Sequence, residues 1–148
     1  MSTETWLLVY GMFSAYCLAG CLMEHFAVFS GWRAVGAEEF RAVQTAQGHG
    51  SGAVYVIPKF ALTALVIVLL IVAPDGMPSW ALWAGLAALT VSWAVSAFVD
   101  VPLQLRLRQT ADRGGIERLL HTDWIRVTAM AAHFGFAIVV IAEASGAS

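Results

Sequence analysis

Within its first long apolar stretch the chain places Glu24 beside His25, a carboxylate next to an imidazole where lipid-facing residues are expected. An ionisable side chain inside a bilayer costs at least about 2.5 kcal/mol on insertion scales, so it is kept where it meets a partner or a cavity. Lys59, Asp100, Arg126 and His133 are further ionisable residues in or at the ends of apolar stretches. These side chains could form ion pairs that fix helix register, Glu24 with Lys59 and Asp100 with Arg126. They could also carry a cofactor, since His25 and His133 on two helices are a candidate pair of axial ligands for haem b. Cys17, Cys21 and His25 share one helical face, but the outer two lie about 12 Å apart along it, too far to share a metal, so no metal ligands are assigned. Cys17 and Cys21 read as small packing residues.

The elements that would hold these groups follow from composition. The chain has 148 residues, 59% hydrophobic and 12% charged, with a mean hydropathy of +0.75, whereas a soluble domain carries about 25% charged residues. This is the composition of an integral membrane protein. A net charge of −2 gives no basis for a nucleic-acid partner. Stretches at about 6–32, 53–73, 80–102 and 121–142 are long enough to span a hydrocarbon core. With no alternating strand-length segments, the expected fold is all-α: one domain over residues 1–148, an integral membrane four-helix bundle with antiparallel up-down connections. The first stretch is too long and too polar for a cleaved signal peptide and is expected to stay in the mature protein.

The eight basic residues set the orientation. Arg33, Arg41 and Lys59 fall at the first connection, and Arg106, Arg108, Arg113, Arg118 and Arg126 at the third. Both connections are therefore expected to be cytoplasmic and both termini extracytoplasmic, with Trp6, Tyr10, Trp80 and Trp83 at one interface and Trp32 and Trp124 at the other. Pro74–Ser79 reads as a tight turn. Residues 43–52, with Gln44, Gln47, His49 and glycines, read as an exposed flexible loop, the other reading being a segment bent over the bundle end. Residues 104–121 read as mixed-charge chain broken at Gly114-Gly115, with an amphipathic start to the fourth helix lying on the membrane surface. Small-residue rows, Gly11, Ala15 and Ala19 and then Ala81, Gly85, Ala88, Ser92 and Ser96, mark helix seams.

Depth decides which polar groups can meet. At about 1.5 Å per residue, Glu24 lies roughly 12 Å inward from Trp32 and Lys59 roughly 9 Å inward from Ala53, while His133 lies about 13 Å past Trp124. Asp100 and Arg126 fall nearer the rim, and His121 with Asp123 reads as a solvated helix start. The expectation is a polar pocket in the cytoplasmic half, lined from all four helices.

Phe40-Arg41-Ala42-Val43-Gln44, Asp100-Val101-Pro102-Leu103-Gln104-Leu105-Arg106-Leu107 and Leu119-Leu120-His121-Thr122-Asp123-Trp124-Ile125-Arg126 together resemble the anthrone-oxygenase-like family of small four-helix membrane proteins, many of them bacterial. The family often shows a polar-Val-Pro-Leu-His stretch followed by Asn-Trp-Ile-Arg. Here Gln104 stands for the His, Asp123 for the Asn, and Asp100 where Gln is common. The resemblance implies a bacterial inner-membrane protein that oxygenates a reduced polycyclic aromatic to a quinone without a required cofactor. Glu24 or His25 would then be the catalytic base. Together with the expected pocket, it points to a lipid-soluble aromatic or quinone-like ligand. Phe26, Phe29, Tyr55 and Phe134 would form the walls, and Lys59, Asp100, Gln104, Arg126, His133, Tyr55 and Trp124 the ligand-binding set. Two alternatives stay open: a non-catalytic accessory subunit of a larger respiratory or photosynthetic membrane complex, and a haem b electron-transfer subunit.

Overall fold

A computed structural model of the chain describes residues 2–74 and 76–146, with the side chain of His49 outside the description. The alternative reading that brings His49 over the bundle end, and the place of Asp75 in its turn, therefore lie outside the described residues. No strand occurs among the described residues, and four helical runs are long and apolar enough to cross a membrane: Thr3–Ala34, Gly52–Val72, Ser79–Thr110 and Arg113–Gly146.

The first run comprises α1 (Thr3–Met23), a π-helical turn (Glu24–Phe29) and a 3-10 turn (Trp32–Ala34). Ser2 caps it, its hydroxyl accepting from Thr5 N–H at 3.3 Å. Next come α2 (Ala37–Ser51), a π turn (Gly52–Val56) and α3 (Ile57–Val72), with no break in helical structure from 37 to 72. After the turn at Pro74–Pro78, where Gly76 takes a left-handed φ of 79°, follow α4 (Ser79–Val95), a π turn (Ser96–Asp100) and α5 (Val101–Thr110). The final helix is α6 (Arg113–Gly146).

Contacts between the first helical run and α6 run in opposite order: Gly11 lies against Ile141, Ser14 against His133, Glu24 against Arg126 and Arg33 against Glu117. On α4, Gly85 meets His133 and Asp100 at the far end of its π turn meets Arg126. The small-residue rows serve close approach. A Cβ on Gly11 would sit 3.0 Å from Ile141, and one on Gly20 3.0 Å from a Tyr55 ring carbon. Around these seams Leu62, Val66, Leu69, Leu89, Met130 and Val140 form the main apolar core, each buried side chain contributing about 1.5–3 kcal/mol.

The helices outrun the sequence expectation because a helix need not stop where apolarity stops. Thirty-two residues from Thr3 to Ala34 measure about 48 Å at 1.5 Å per residue, against a hydrocarbon core of about 30 Å. A second apolar cluster, Phe29, Trp32, Phe40, Leu107, Ile116, Leu119 and Leu120, fills the extension. Two expectations are corrected by it. Residues 43–52 belong mostly to α2 and are not a loop: Phe40 and Gln44, one turn apart, are 2% and 3% exposed, and Glu38 and Glu39 complement the helix dipole at its start. Residues 104–121 are not a separate amphipathic segment but extend the third and fourth helical runs and turn back between them as the α5–α6 hairpin, whose Ile116, Leu119 and Leu120 point into the cluster. Ala111 takes a left-handed φ of 48°, Asp112 caps the N–H groups of Gly114 and Gly115 at 3.1 and 2.9 Å, and Gly115 lets the Leu107 side chain pack close, since a Cβ there would lie 2.7 Å from Leu107 Cδ2 and push that methyl aside. The paired glycines lie in the first turn of α6 and do not interrupt the helix.

Candidate functional site

Three π-helical turns lie around the ionisable residues: Glu24–Phe29, Gly52–Val56 and Ser96–Asp100. Two of them end two residues before a proline, Pro58 and Pro102. A proline inside a helix has no N–H to give and its ring crowds the carbonyl four residues back, and a widened turn relieves that conflict. The first π turn has no proline, and it carries Glu24 and His25. Each π turn sends at least one side chain into the same region.

Arg126 is the hub. Its Nη1 donates to Glu24 Oε2, its Nε donates to Asp123 Oδ1 at 2.5 Å and lies 3.4 Å from Asp100 Oδ2, and its guanidinium stands over the Phe29 ring at 5.6 Å. Asp123 turns its other oxygen to His25 Nδ1 at 2.7 Å. Glu24, His25, Asp100, Asp123 and Arg126 are all under 9% exposed. Removing such charges from water costs several kcal/mol per ion, so they persist only as a mutually paired group.

Beside this cluster lies a cavity of about 300 Å³, at the lower end of the range of small-molecule sites. Its polar floor is Glu24, Lys59, Asp100 and Arg126, its walls are Phe29, Trp32, Tyr55 and Trp93, and its neck is Gln44, Gln47, Gln104 and Arg108. The neck is knitted by hydrogen bonds: Gln44 Nε2 donates to the Gln104 carbonyl at 2.9 Å, Arg108 Nε to Gln44 Oε1 at 3.3 Å, and Trp32 Nε1 to Gln47 Oε1 at 2.7 Å. Lys59 Nζ reaches Ser96 Oγ at 3.4 Å and stands 4.6 Å over the Trp93 ring. Both Asp100 oxygens and Arg126 Nη2 are buried without a hydrogen-bond partner.

Six of the residues singled out from sequence thus line one cavity: Glu24, Tyr55, Lys59, Asp100, Gln104 and Arg126. Three do not. His25 lies on the other side of the cluster, bound to Asp123 and packed on Phe26 and Trp124 at ring separations of 4.8 and 4.6 Å. Trp124 is 46% exposed on the outer face. His133 lies further along α6, fully buried, with Nδ1 donating to the Gly85 carbonyl at 2.9 Å and Nε2 against Ser14 Oγ at 3.2 Å. Both of its ring nitrogens are engaged, so this arrangement does not present His25 and His133 as an axial haem pair. Among the described residues no group of three or more His, Cys, Asp or Glu is arranged to hold a metal. The expected partner of Glu24 also changes, from Lys59 to Arg126, because Lys59 leans toward Ser96 and Trp93. Of the expected aromatic walls, Phe29 and Tyr55 line the cavity; Phe26, 58% exposed, and Phe134 do not, their places being taken by Trp32 and Trp93.

Sequence reasoning missed Asp123 as a site residue. It is 0% exposed and links His25 to Arg126. Its position three residues before Arg126 on one helix face was the available signal. Comparison of the chain with protein-family models, with curated proteins and with solved structures finds no match.

Proposed function

We propose that the chain is an integral membrane protein whose four antiparallel spans, with both termini extracytoplasmic, bind a lipid-soluble aromatic or quinone-like molecule in the cytoplasmic half. The orientation is supported by the grouping of all eight basic residues at two connections. The observation that carries the binding reading is the cavity itself, where four aromatic walls meet a buried polar floor whose Asp100 oxygens and Arg126 Nη2 have no hydrogen-bond partner among the described residues. An apolar ring system fits the walls, and an oxygen at its edge fits the floor.

The resemblance to the anthrone-oxygenase-like family suggests a reaction for such a ligand. Dioxygen would replace the two hydrogens of an activated aromatic methylene with one oxygen, giving a quinone carbonyl, and its second oxygen would leave as water. The step begins with removal of a proton from the methylene, for which Glu24 and Asp100 are the carboxylates lining the cavity.

The test is to purify the full chain in mild detergent, extract it with organic solvent and analyse the extract by mass spectrometry beside an absorption spectrum. A stoichiometric aromatic compound supports ligand binding. An empty extract with a stoichiometric large protein partner would replace it with the accessory-subunit reading, and a Soret band with the haem reading.

A further inference from the structure

We propose, resting on the ligand-binding reading above, that the cavity selects the reduced, hydroxyl-bearing form of its aromatic ligand, with Asp100 accepting the ligand O–H and Arg126 Nη2 donating to the same or the neighbouring oxygen. Asp100 is 2% exposed, and neither of its oxygens receives a hydrogen bond. Its nearest cation contact, Arg126 Nε at 3.4 Å, is committed to Asp123 at 2.5 Å.

Three neighbouring groups donate to other acceptors. The Ser96 hydroxyl donates to the Ser92 carbonyl at 2.9 Å, Lys59 leans to Ser96, and Gln44 donates to the Gln104 carbonyl. Asp100 beside a guanidinium is an acceptor that lacks a donor, and Arg126 Nη2 is a donor that lacks an acceptor. A buried polar atom left without its partner costs about 1–3 kcal/mol. A quinone brings acceptors only, so it can satisfy Arg126 but leaves Asp100 unmet. A phenolic hydroxyl donates through its hydrogen and accepts through its oxygen, so a single group meets both needs. Selection for the hydroxyl form follows from this asymmetry. Sites that hydrogen-bond a ligand hydroxyl reject analogues that lack it more strongly than apolar pockets reject a changed shape.

The experiment titrates three probes of one shape against the full chain in detergent: naphthohydroquinone under anaerobic reducing conditions, naphthoquinone, and dimethoxynaphthalene, in which methyl groups replace the hydroxyl hydrogens. The hydroquinone should bind at least about tenfold more tightly than either of the others. Asp100→Asn, which replaces one acceptor oxygen with an amide N–H₂ donor, should abolish that preference and strengthen the quinone. Equal or tighter binding of the quinone or the dimethyl ether to the wild type overturns selection, as does a folded Asp100→Asn protein that keeps the preference. Should Asp100→Asn fail to fold, the ranking of the three probes on the wild type decides alone. No saturable binding of any probe overturns the binding reading and the selection with it, whereas binding without preference overturns the selection only.

Discussion

Arg126 donates from Nη1 to Glu24 Oε2 across 102 positions of sequence, joining the π turn that follows α1 to the middle of α6. The same guanidinium holds Asp123 through Nε and lies near Asp100, so one cation gathers carboxylates from three helical runs. Asp123 in turn holds His25. The floor of the cavity is therefore a fixed charge arrangement, and the aromatic walls are packed around it.

Removal of Arg126 should be far more damaging than removal of any one carboxylate. Arg126→Met strands Glu24, Asp100 and Asp123 together and should destabilise by about 3–5 kcal/mol or prevent folding, while Glu24→Gln, which keeps an acceptor for Nη1, should cost about 1–3 kcal/mol. Arg126→Lys should not rescue, because an ammonium cannot reproduce the guanidinium fork. As a control, breaking the Arg33–Glu117 ion pair, whose side chains are 52% and 60% exposed, should leave thermal unfolding unchanged. Melting curves of the purified variants in detergent rank the four.

Much of this site was legible in the sequence. Ionisable residues stand out against an apolar background, and helical rise alone put Glu24 and Lys59 at similar depth. The distribution of partners was less so, because a depth estimate carries no angular information: His25 adjoins Glu24 in sequence yet faces the opposite side of the cluster, and His133 lies at another level against Gly85. The π turns were hidden for a related reason. Pro58 and Pro102 mark places where a straight helix must give, but Pro102 read as a helix end because Asp100 looked like a terminal residue, whereas the widened turn lets α5 continue to Thr110. Asp123 and α2 were lost to a bias toward solvent, since charges and glycines near a membrane edge suggest exposure when no packing partner is visible.

Gly85 should be intolerant of bulk. A Cβ there would lie 3.3 Å from His133 Nδ1 and 3.4 Å from the Tyr10 hydroxyl, and His133 depends on the Gly85 carbonyl. Gly85→Val should cost about 1–3 kcal/mol by overpacking, and Gly85→Ala less, both read as a drop in melting temperature. A Gly85→Val protein that melts like the wild type would show that α4 and α6 can separate here without loss.

The orientation can be checked with an impermeant thiol reagent on intact cells. A cysteine at Thr3 should label without permeabilisation, and one at the exposed Gln109 only after it; Cys17 and Cys21 are buried and should stay silent. The reverse pattern would invert the topology and place the cavity in the outer half.

Trp93 provides the most direct measurement of ligand binding, because its ring forms a wall of the cavity and lies under the Lys59 ammonium. A naphthoquinone bound against it should quench its fluorescence. With a quinone titrated into the detergent-solubilised protein, the wild type should show a saturable component above the linear quenching caused by partitioning into detergent, and Trp93→Phe should lose the Trp93 share of that component, Trp32 being the other tryptophan of the walls. Quenching that rises linearly without saturation, and equally in the wild type and Trp93→Phe, would contradict binding in this cavity.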